Sequence, residues 1–561
     1  LTYDLKVQRT PRLVGRGLRI AMEALERERI GAVLQRGILL GAGLEPLRER
    51  PTKGLVTPLW MAPDERALLP QRPLDLGRVA ASGEATSGVG SYARAYGEGR
   101  TTPTAVAERF LATAADLDRR TPALRWFVSL DADDVRAQAR ESTLRWAAGR
   151  PLSVLDGVPV PVKDEVDQRG HRTTAGTRAL ATTPAAADSA PVARLRALGA
   201  LLVGKTNMHE LGAGATGLNI PWGTARNPWD VRYHTGGSSS GSGGAAASGL
   251  APFALGCDGG GSIRIPASFC GVVGLKPTYG RVPKVGAVPL APSLQHVGPL
   301  ARTVRDTAIG YVAMAGRDAR ELHTLAQPPL DDEELAAQLS RTRLDGVTLG
   351  IYPAWFEDAD AAVVARCREA LLACERRGAK LRDVEVPDLE LARVAHIVLI
   401  AAESRAFVDT LGDRCAQLGF DVRLGLAVGK AIPPEDVLAA HRHRVRLGES
   451  WLRAMDGVDA IVTPTMPQTA PLVRDDSLEC GEVDAEGVSR MLRFTVLANL
   501  LGTPAVSVPV GFVGGLPVGL QLQGRPWDEA RLFGIAAVLE DACREPTSAW
   551  KPAVGVDLLA D

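Results

Sequence analysis

The sequence predicts an α/β fold built on a mixed sheet, with a helical extension at its N-terminus. Three observations predict it. From residue 102 onward, segments of helical period alternate with short apolar runs of strand length. Of the 561 residues, 45% are hydrophobic and 23% charged, which supplies a large core and argues against disorder. Residues 1–50 instead repeat apolar side chains mostly at threes, fours and fives, with arginines and glutamates between them.

In chain order, Leu13, Leu18, Ile20, Ala21, Leu25, Ile30, Val33, Leu34, Ile38 and Leu39 carry the N-terminal helical pattern. Residues 51–91 are rich in Pro, Gly and Ser and read as a connector over a surface. Thr102 as cap and Pro103 at the first position open a helix continuing over 105–118. Residues 131–149 read as the next helix, and 154–167, VLDGVPVPVKDEVD, as a strand. Asp188 and Pro191 open a helix that ends at Gly199, and ALLV follows as a strand. Residues 494–524 hold no charge over 31 positions, long enough to cross a bilayer. Pro504, Pro509, Pro517 and six glycines make them instead the end of a helix followed by two buried strands, AVSVPV and GLQLQ, joined at a Gly-Gly turn.

Composition excludes several classes of function. Lys plus Arg and Asp plus Glu are each 65, so the net charge is zero and no basic field exists for nucleic acid. The seven cysteines are odd in number and form no C-x-x-C pair, which argues against a disulfide framework or a zinc site and fits a reducing cytoplasm. The histidines form no H-E-x-x-H, and His441 and His443 do not share a helix face. The opening LTYDLKVQRTPR lacks the early apolar core of a secretory leader.

Two motifs are decoys. GALLVGKT over 199–206 matches the phosphate-loop pattern, but its spacer is itself the apolar strand, leaving no loop to wrap a phosphate. Gly237-Ser238-Ser239-Ser240-Gly241 matches the G-x-S-x-G elbow, but the polar NPWDVRYHTG stands where an apolar strand is required.

Three further segments carry chemistry. Residues 236–249, GGSSSGSGGAAASG, resemble a flexible linker in composition, yet Ala245, Ala246, Ala247 and LAPFALG set them against a buried helix and strand. Residues 255–270, LGCDGGGSIRIPASFC, place three glycines before Ser262. Consecutive unhindered amides make a concave donor set for an oxyanion, with the Ser262 oxygen beside it; the competing reading is a tight turn with an ordinary serine. In VPVPVKDEVD, Val158, Val160 and Val162 face one way and Pro159, Pro161 and Lys163 the other. Burial of an amine favours its neutral form, and only a neutral amine accepts a proton. The competing reading pairs Lys163 with Asp164 or Glu165 at the surface.

Lys163 precedes Ser238 by 75 residues, and Ser238 precedes Ser262 by 24. In order and separation these blocks resemble the amidase signature family. Further matches are Gly204-Lys205-Thr206-Asn207-Met208, Arg226-Asn227-Pro228-Trp229-Asp230, Gly274-Leu275-Lys276-Pro277-Thr278, Val462-Thr463-Pro464-Thr465 and the block over 515–524. The resemblance covers residues 95–540 and is nearest to the plant-type fatty acid amide hydrolase branch, through NMHELGAGATG, YHTGGSSSGS, LGCDGGGSIRIP, MLRFTVLANLLGTPAVSVPVG and LQGRPWDEA.

The resemblance implies the amidase signature fold, a central twisted mixed sheet covered by helices on both faces. Residues 1–94 would be the N-terminal helical extension and connector, and 95–561 the catalytic domain. It implies Ser262 as nucleophile, Ser238 as proton relay after a cis peptide at Gly237, and Lys163 as ultimate base. The amides of Gly259, Gly260, Gly261 and Ser262 would hold the oxyanion, with Gly212 and Ser239 completing the oxyanion and substrate-binding set. No metal and no cofactor is implied. The implied substrate is a small-molecule amide, a lipid such as an N-acylethanolamine, with no nucleic-acid partner. Departures from the family stand at Ser240, Cys257 and Ala213, the last in the acyl pocket. Alternatives are a general, aryl or short-chain amidase, the glutaminase subunit of an amidotransferase, and a non-catalytic scaffold. The protein is expected to be cytoplasmic without a transmembrane helix. IGAVLQRGILLGAGLE over 30–45, near Arg16, Arg19, Arg27, Arg29 and Arg36, would either touch a membrane surface or pack on the catalytic domain or on a second subunit of a homodimer.

Overall fold

The computed structural model describes residues 3–6, 12–27, 31, 33–35, 43–49, 65–72, 74–81, 88–180, 183–543 and 550–560. Most of the apolar run over 30–45, including Ile30, Ile38 and Leu39, lies outside the described residues, as do Arg29, Arg36 and the connector positions 51–64 and 82–87.

Thirteen strands are described: β1 (Leu13–Val14), β2 (Phe127–Ser129), β3 (Pro159–Lys163), β4 (Leu201–Thr206), β5 (Phe253–Asp258), β6 (Val273–Lys276), β7 (His296–Ala301), β8 (Thr348–Ile351), β9 (Lys380–Asp383), β10 (Ala460–Pro464), β11 (Glu482–Val483), β12 (Ala505–Val513) and β13 (Leu516–Gln523). Eleven form one sheet in the order β2-β4-β3-β5-β7-β6-β12-β13-β10-β8-β9. The sheet is mixed: β3 runs parallel to β4 and β5, whereas β5, β7 and β6 are successively antiparallel. Helices cover both faces. Gly310, in the helix Val304–Met314, abuts the Phe253 ring, while Gly256, of opposite parity on β5, abuts Ser239 and Ile263.

The local expectations hold with instructive exceptions. Thr102 caps the helix Pro103–Arg119 by accepting from the Ala105 amide at 3.1 Å, and Asp131 caps Ala132–Ala147. The charge-free stretch is a helix, Val496–Leu501, and the hairpin of β12 and β13, which turns at Gly514 and Gly515. The strand expected over 154–167 is only Pro159–Lys163. Gly157 takes a positive φ of 81° before it, and the Val166 amide bonds back to the Lys163 carbonyl at 3.0 Å after it. Part of the connector is ordered: Leu76–Ala80 is a short helix capped by Asp75, with Leu76 and Val79 buried.

At the N-terminus, the helix Gly15–Glu26 buries Leu18, Met22 and Leu25 against Leu424 and Ala427 of the helix Phe420–Lys430. Just before it, β1 pairs with β11, Leu13 opposite Val483. The helix Val89–Gly97 spans position 94, and its Val89, Tyr92 and Tyr96 belong to the main core. All seven cysteines are free. Among the described residues no helix is long and apolar enough to cross a membrane.

Candidate active site

The carboxyl ends of the neighbouring parallel strands β3 and β5 bring the three chemical segments together. β3 ends at Lys163 and β5 at Asp258, and the glycines at 259–261 follow directly. Ligands in α/β sheets gather at such strand ends.

Lys163 is fully buried, so the surface pairing considered for it does not occur. Its Nζ lies 2.8 Å from Ser238 Oγ, 3.1 Å from the Cys257 carbonyl oxygen and 2.7 Å from Glu165 Oε2. The turn that ends β3 folds Glu165 back onto its neighbour. Asp164 is not available to Lys163. It accepts from the Thr174 and Gly176 amides and from the Thr174 hydroxyl, and pairs with Lys205 at 3.5 Å. Lys205 itself lies in β4 with its Nζ on Thr173 Oγ1, which removes the phosphate-loop reading of GALLVGKT.

Ser238 follows a cis peptide at Gly237, and residues 240–248 continue as a buried helix, as the small-residue composition anticipated. The Gly237 amide is anchored on the Ala215 carbonyl at 2.7 Å, and the Ser239 amide on the Ser262 carbonyl at 3.2 Å. Ser239 is fully buried. Its hydroxyl donates to the Cys257 carbonyl and accepts from the Cys257 amide, so it faces β5. Gly212, at a φ of 63°, sits where an added Cβ would lie 3.5 Å from Ser238 Oγ.

The glycine loop is held from below by Asp258. Its carboxylate accepts from the Gly261 amide at 2.6 Å, the Ile263 amide at 3.0 Å and Asn499 Nδ2 at 2.8 Å, and pairs with Arg264. Burial opposes its ionisation, but the Arg264 guanidinium prevails and holds the carboxyl well below the usual range. Arg264, also fully buried, reaches Gln521 Oε1 and the Thr495 carbonyl. The Gly261 amide is therefore committed within the loop. The amides of Gly259, Gly260 and Ser262 have no acceptor among the described residues. His396 meets the Gly259 carbonyl, and Thr495 Oγ1 donates to the Gly260 carbonyl at 2.6 Å. Burial lowers the pKa of His396 and of His209 to about 4, so both rings are neutral near pH 7.

A cavity of about 560 Å3 opens beside these loops. Ala213, Ala215, Leu218, Val422, Val488 and Met491 give it an apolar wall, and Arg12, Arg474 and Arg490 stand among acidic residues on it. It begins one residue from Gly212 on one side. On the other, Met491 precedes Leu492, which faces Gly260. Among the described residues no group of three or more His, Cys, Asp or Glu side chains is placed to hold a metal ion.

Sequence reasoning placed Lys163, Ser238, Ser262 and the glycine loop, and the structure brings these segments to one place. It passed over Asp258, Arg264, Gln295, Thr495, Asn499 and Gln521. The D-x5-R spacing of Asp258 and Arg264 was a usable signal; the other four lie far away in sequence and left none.

Comparison with known proteins follows the same lines. The amidase family profile matches residues 105–533. A fatty acid amide hydrolase of Arabidopsis thaliana is 39% identical over 477 residues, covering 83% of this chain and 78% of the relative. A glutamyl-tRNA(Gln) amidotransferase subunit of Symbiobacterium thermophilum is 37% identical over 460 residues, covering 77% and 91%. The solved structure of the native peptide amidase from Stenotrophomonas maltophilia superposes with a TM-score of 0.73 at 28% identity, covering 82% of this chain and 97% of that one.

Proposed function

The chain belongs to the amidase family, and from that premise we propose that it hydrolyses fatty acid amides through Ser262, Ser238 and Lys163. The observation that carries the reading is the buried contact of Lys163 Nζ with Ser238 Oγ at 2.8 Å, beside the Ser262 loop and an apolar-walled cavity.

Each side chain then has a task. Ser262 Oγ bonds to the amide carbon while its proton passes to Ser238, and the Ser238 proton passes to neutral Lys163. The carbonyl oxygen becomes an oxyanion held by the amides of Gly259, Gly260 and Ser262, with Gly261 fixed beneath them on Asp258. The proton on Lys163 returns through Ser238 to the leaving nitrogen, the C–N bond breaks, and water clears the acyl-enzyme by the same relay.

The lipid character rests on the relatives and the cavity. A buried CH2 group contributes about 0.8 kcal/mol, so a chain lying along the apolar wall gains affinity steeply with length. Arg12 lines this cavity, and β1 follows it, so the N-terminal segment forms part of the wall. Ile20, Val33 and Leu34 stay 65%, 70% and 39% exposed and, with Arg16 and Arg27, form the surface we assign to peripheral membrane contact. The test is an acyl-chain series on the intact chain and on one lacking residues 1–50, with liposome binding measured alongside. Rates that rise with chain length support the reading; equal rates for short and aromatic amides remove the lipid assignment. The amidotransferase relative favours a second reading, glutaminase activity, which ammonia release from glutamine by the purified chain would reveal.

A further inference from the structure

We propose that Glu165 is a positioning residue for this reaction: its carboxylate aims Lys163 at Ser238 and balances the charge that the transferred proton brings. The inference rests on the Ser262–Ser238–Lys163 reading above.

The geometry of Lys163 carries it. An ammonium has three N–H donors and no acceptor. Lys163 has three acceptors in place: Ser238 Oγ, the Cys257 carbonyl oxygen and Glu165 Oε2. The arrangement is that of a fully satisfied ammonium in a fully buried site. To accept the Ser238 proton, the amine must be neutral, with two N–H bonds and one lone pair. Cys257 and Glu165 then take the two N–H bonds, and the lone pair is left facing Ser238. Without Glu165 the amine could turn an N–H toward Ser238 and its lone pair elsewhere.

Glu165 is itself held. Its side chain is 5% exposed, its Oε1 accepts from Gln295 Nε2, and its carbonyl accepts from the Val288 amide at 2.9 Å. Gln295 Nε2 also reaches the Val288 carbonyl at 3.2 Å. Charged neighbours on the other elements do not displace it. On β4, Lys205 is paired with Asp164. On β5, Asp258 is paired with Arg264, and burial, then Glu165, pushes the Cys257 thiol well up, leaving it neutral. His209, which faces Lys163 from the loop after β4, is neutral above about pH 4. Glu165 is thus the anion that balances Lys163.

One effect on the reaction follows. The anion stabilises the ammonium formed when the Ser238 proton arrives, which favours the bond-forming step.

The experiment compares fluorophosphonate labelling, kcat and KM of amide turnover for the intact chain, Glu165→Gln, Glu165→Asp and Ser262→Ala. In Glu165→Gln the labelling rate and kcat should fall about tenfold or more with KM little changed, and Glu165→Asp should restore part of both. A folded Glu165→Gln that keeps the parent kcat overturns the inference. Should that variant fail to fold, Gln295→Met is read in the same way. It withdraws the donor that holds the carboxylate in place, so kcat should fall, and an unchanged kcat is again fatal. Labelling of Ser262→Ala at the parent rate would instead overturn the underlying reading, whatever Glu165 does.

Discussion

The Ser239 amide donates to the Ser262 carbonyl oxygen at 3.2 Å. This bond joins the loop that carries Ser238 to the loop that carries Ser262. Ser239 also spends its hydroxyl on the Cys257 backbone, which fixes the same loop to β5. The proposed relay and the proposed nucleophile therefore share one frame, and misplacement by 1 Å costs on the order of a hundredfold in rate.

Ser262→Ala should abolish fluorophosphonate labelling and turnover, a loss of several powers of ten. Ser239→Ala should keep labelling, at a lower rate, because its hydroxyl braces the loop and does not face the cavity. Labelling that survives in the first variant and vanishes in the second would exchange the two assignments.

Lys163→Ala should remove the relay and leave Glu165 as a buried, unpaired carboxylate. Such orphaned charges cost about 3–5 kcal/mol. Adding Glu165→Gln should return most of the stability and none of the activity. Denaturant unfolding and turnover on the single and double variants check this, and a double variant no more stable than the single would refute the pairing energy.

The buried Glu210 carboxyl, beside His209, is pushed up to about 7 by burial, with Asp421 adding to it. Its folded value is raised above its unfolded one of about 4.5, so its stabilising contribution is full below about pH 4.5 and is lost as pH rises through about 7. Glu210→Gln should therefore flatten the fall in Tm between pH 5 and 8 and raise Tm at pH 8 by about 1–3 °C. Parallel Tm curves for the variant and the intact chain would remove Glu210 as the source.

Gly261 holds a φ of 135°, and a Cβ there would stand 2.6 Å from Thr495 Oγ1 and 2.9 Å from Ile265 Cδ1. Gly261→Ala should cost about 1–3 kcal/mol in strain and overpacking and displace the amides beside Ser262. The expected kinetic mark is a fall in kcat larger than any rise in KM. Unchanged kcat would show that the loop tolerates the shift.

Much of this site was legible because its blocks, in order and separation, resemble one family; the residues alone left a surface pair at Lys163 and a plain turn at Ser262 as open readings. The three glycines before Ser262, the small residues around Ser238 and the apolar strand ending at Lys163 each announce themselves within a few positions. The pairing of Lys163 with Glu165 was half legible: the sequence offered the partner, but placing it inside required the turn closed by Val166 on Lys163. The commitment of Gly261 to Asp258 was hidden, since consecutive glycines do not reveal which amide points inward. Asn499 and Gln521 sit 235 and 257 residues from Arg264, beyond any local pattern. The strand boundary at Gly157 was missed because alternation of valines does not show where a positive φ interrupts it.

The pairing of Leu13 with Val483 sets a chronology for biosynthesis. The helix Gly15–Glu26 is made long before the surface that receives Leu18, Met22 and Leu25, which comes only with residues 420–430. At about 5–20 residues per second, that apolar face waits about 20–80 seconds on the ribosome. The cavity wall at Arg12 and Val483 thus closes late, shortly before the hairpin of β12 and β13, which joins β6 to β10 in the sheet, is made. A nascent chain stalled before residue 480 would hold Lys163, Ser238 and Ser262 but neither the finished chamber nor Thr495, Asn499 and Gln521, so the chamber and the braces of the glycine loop are completed together near the end of synthesis.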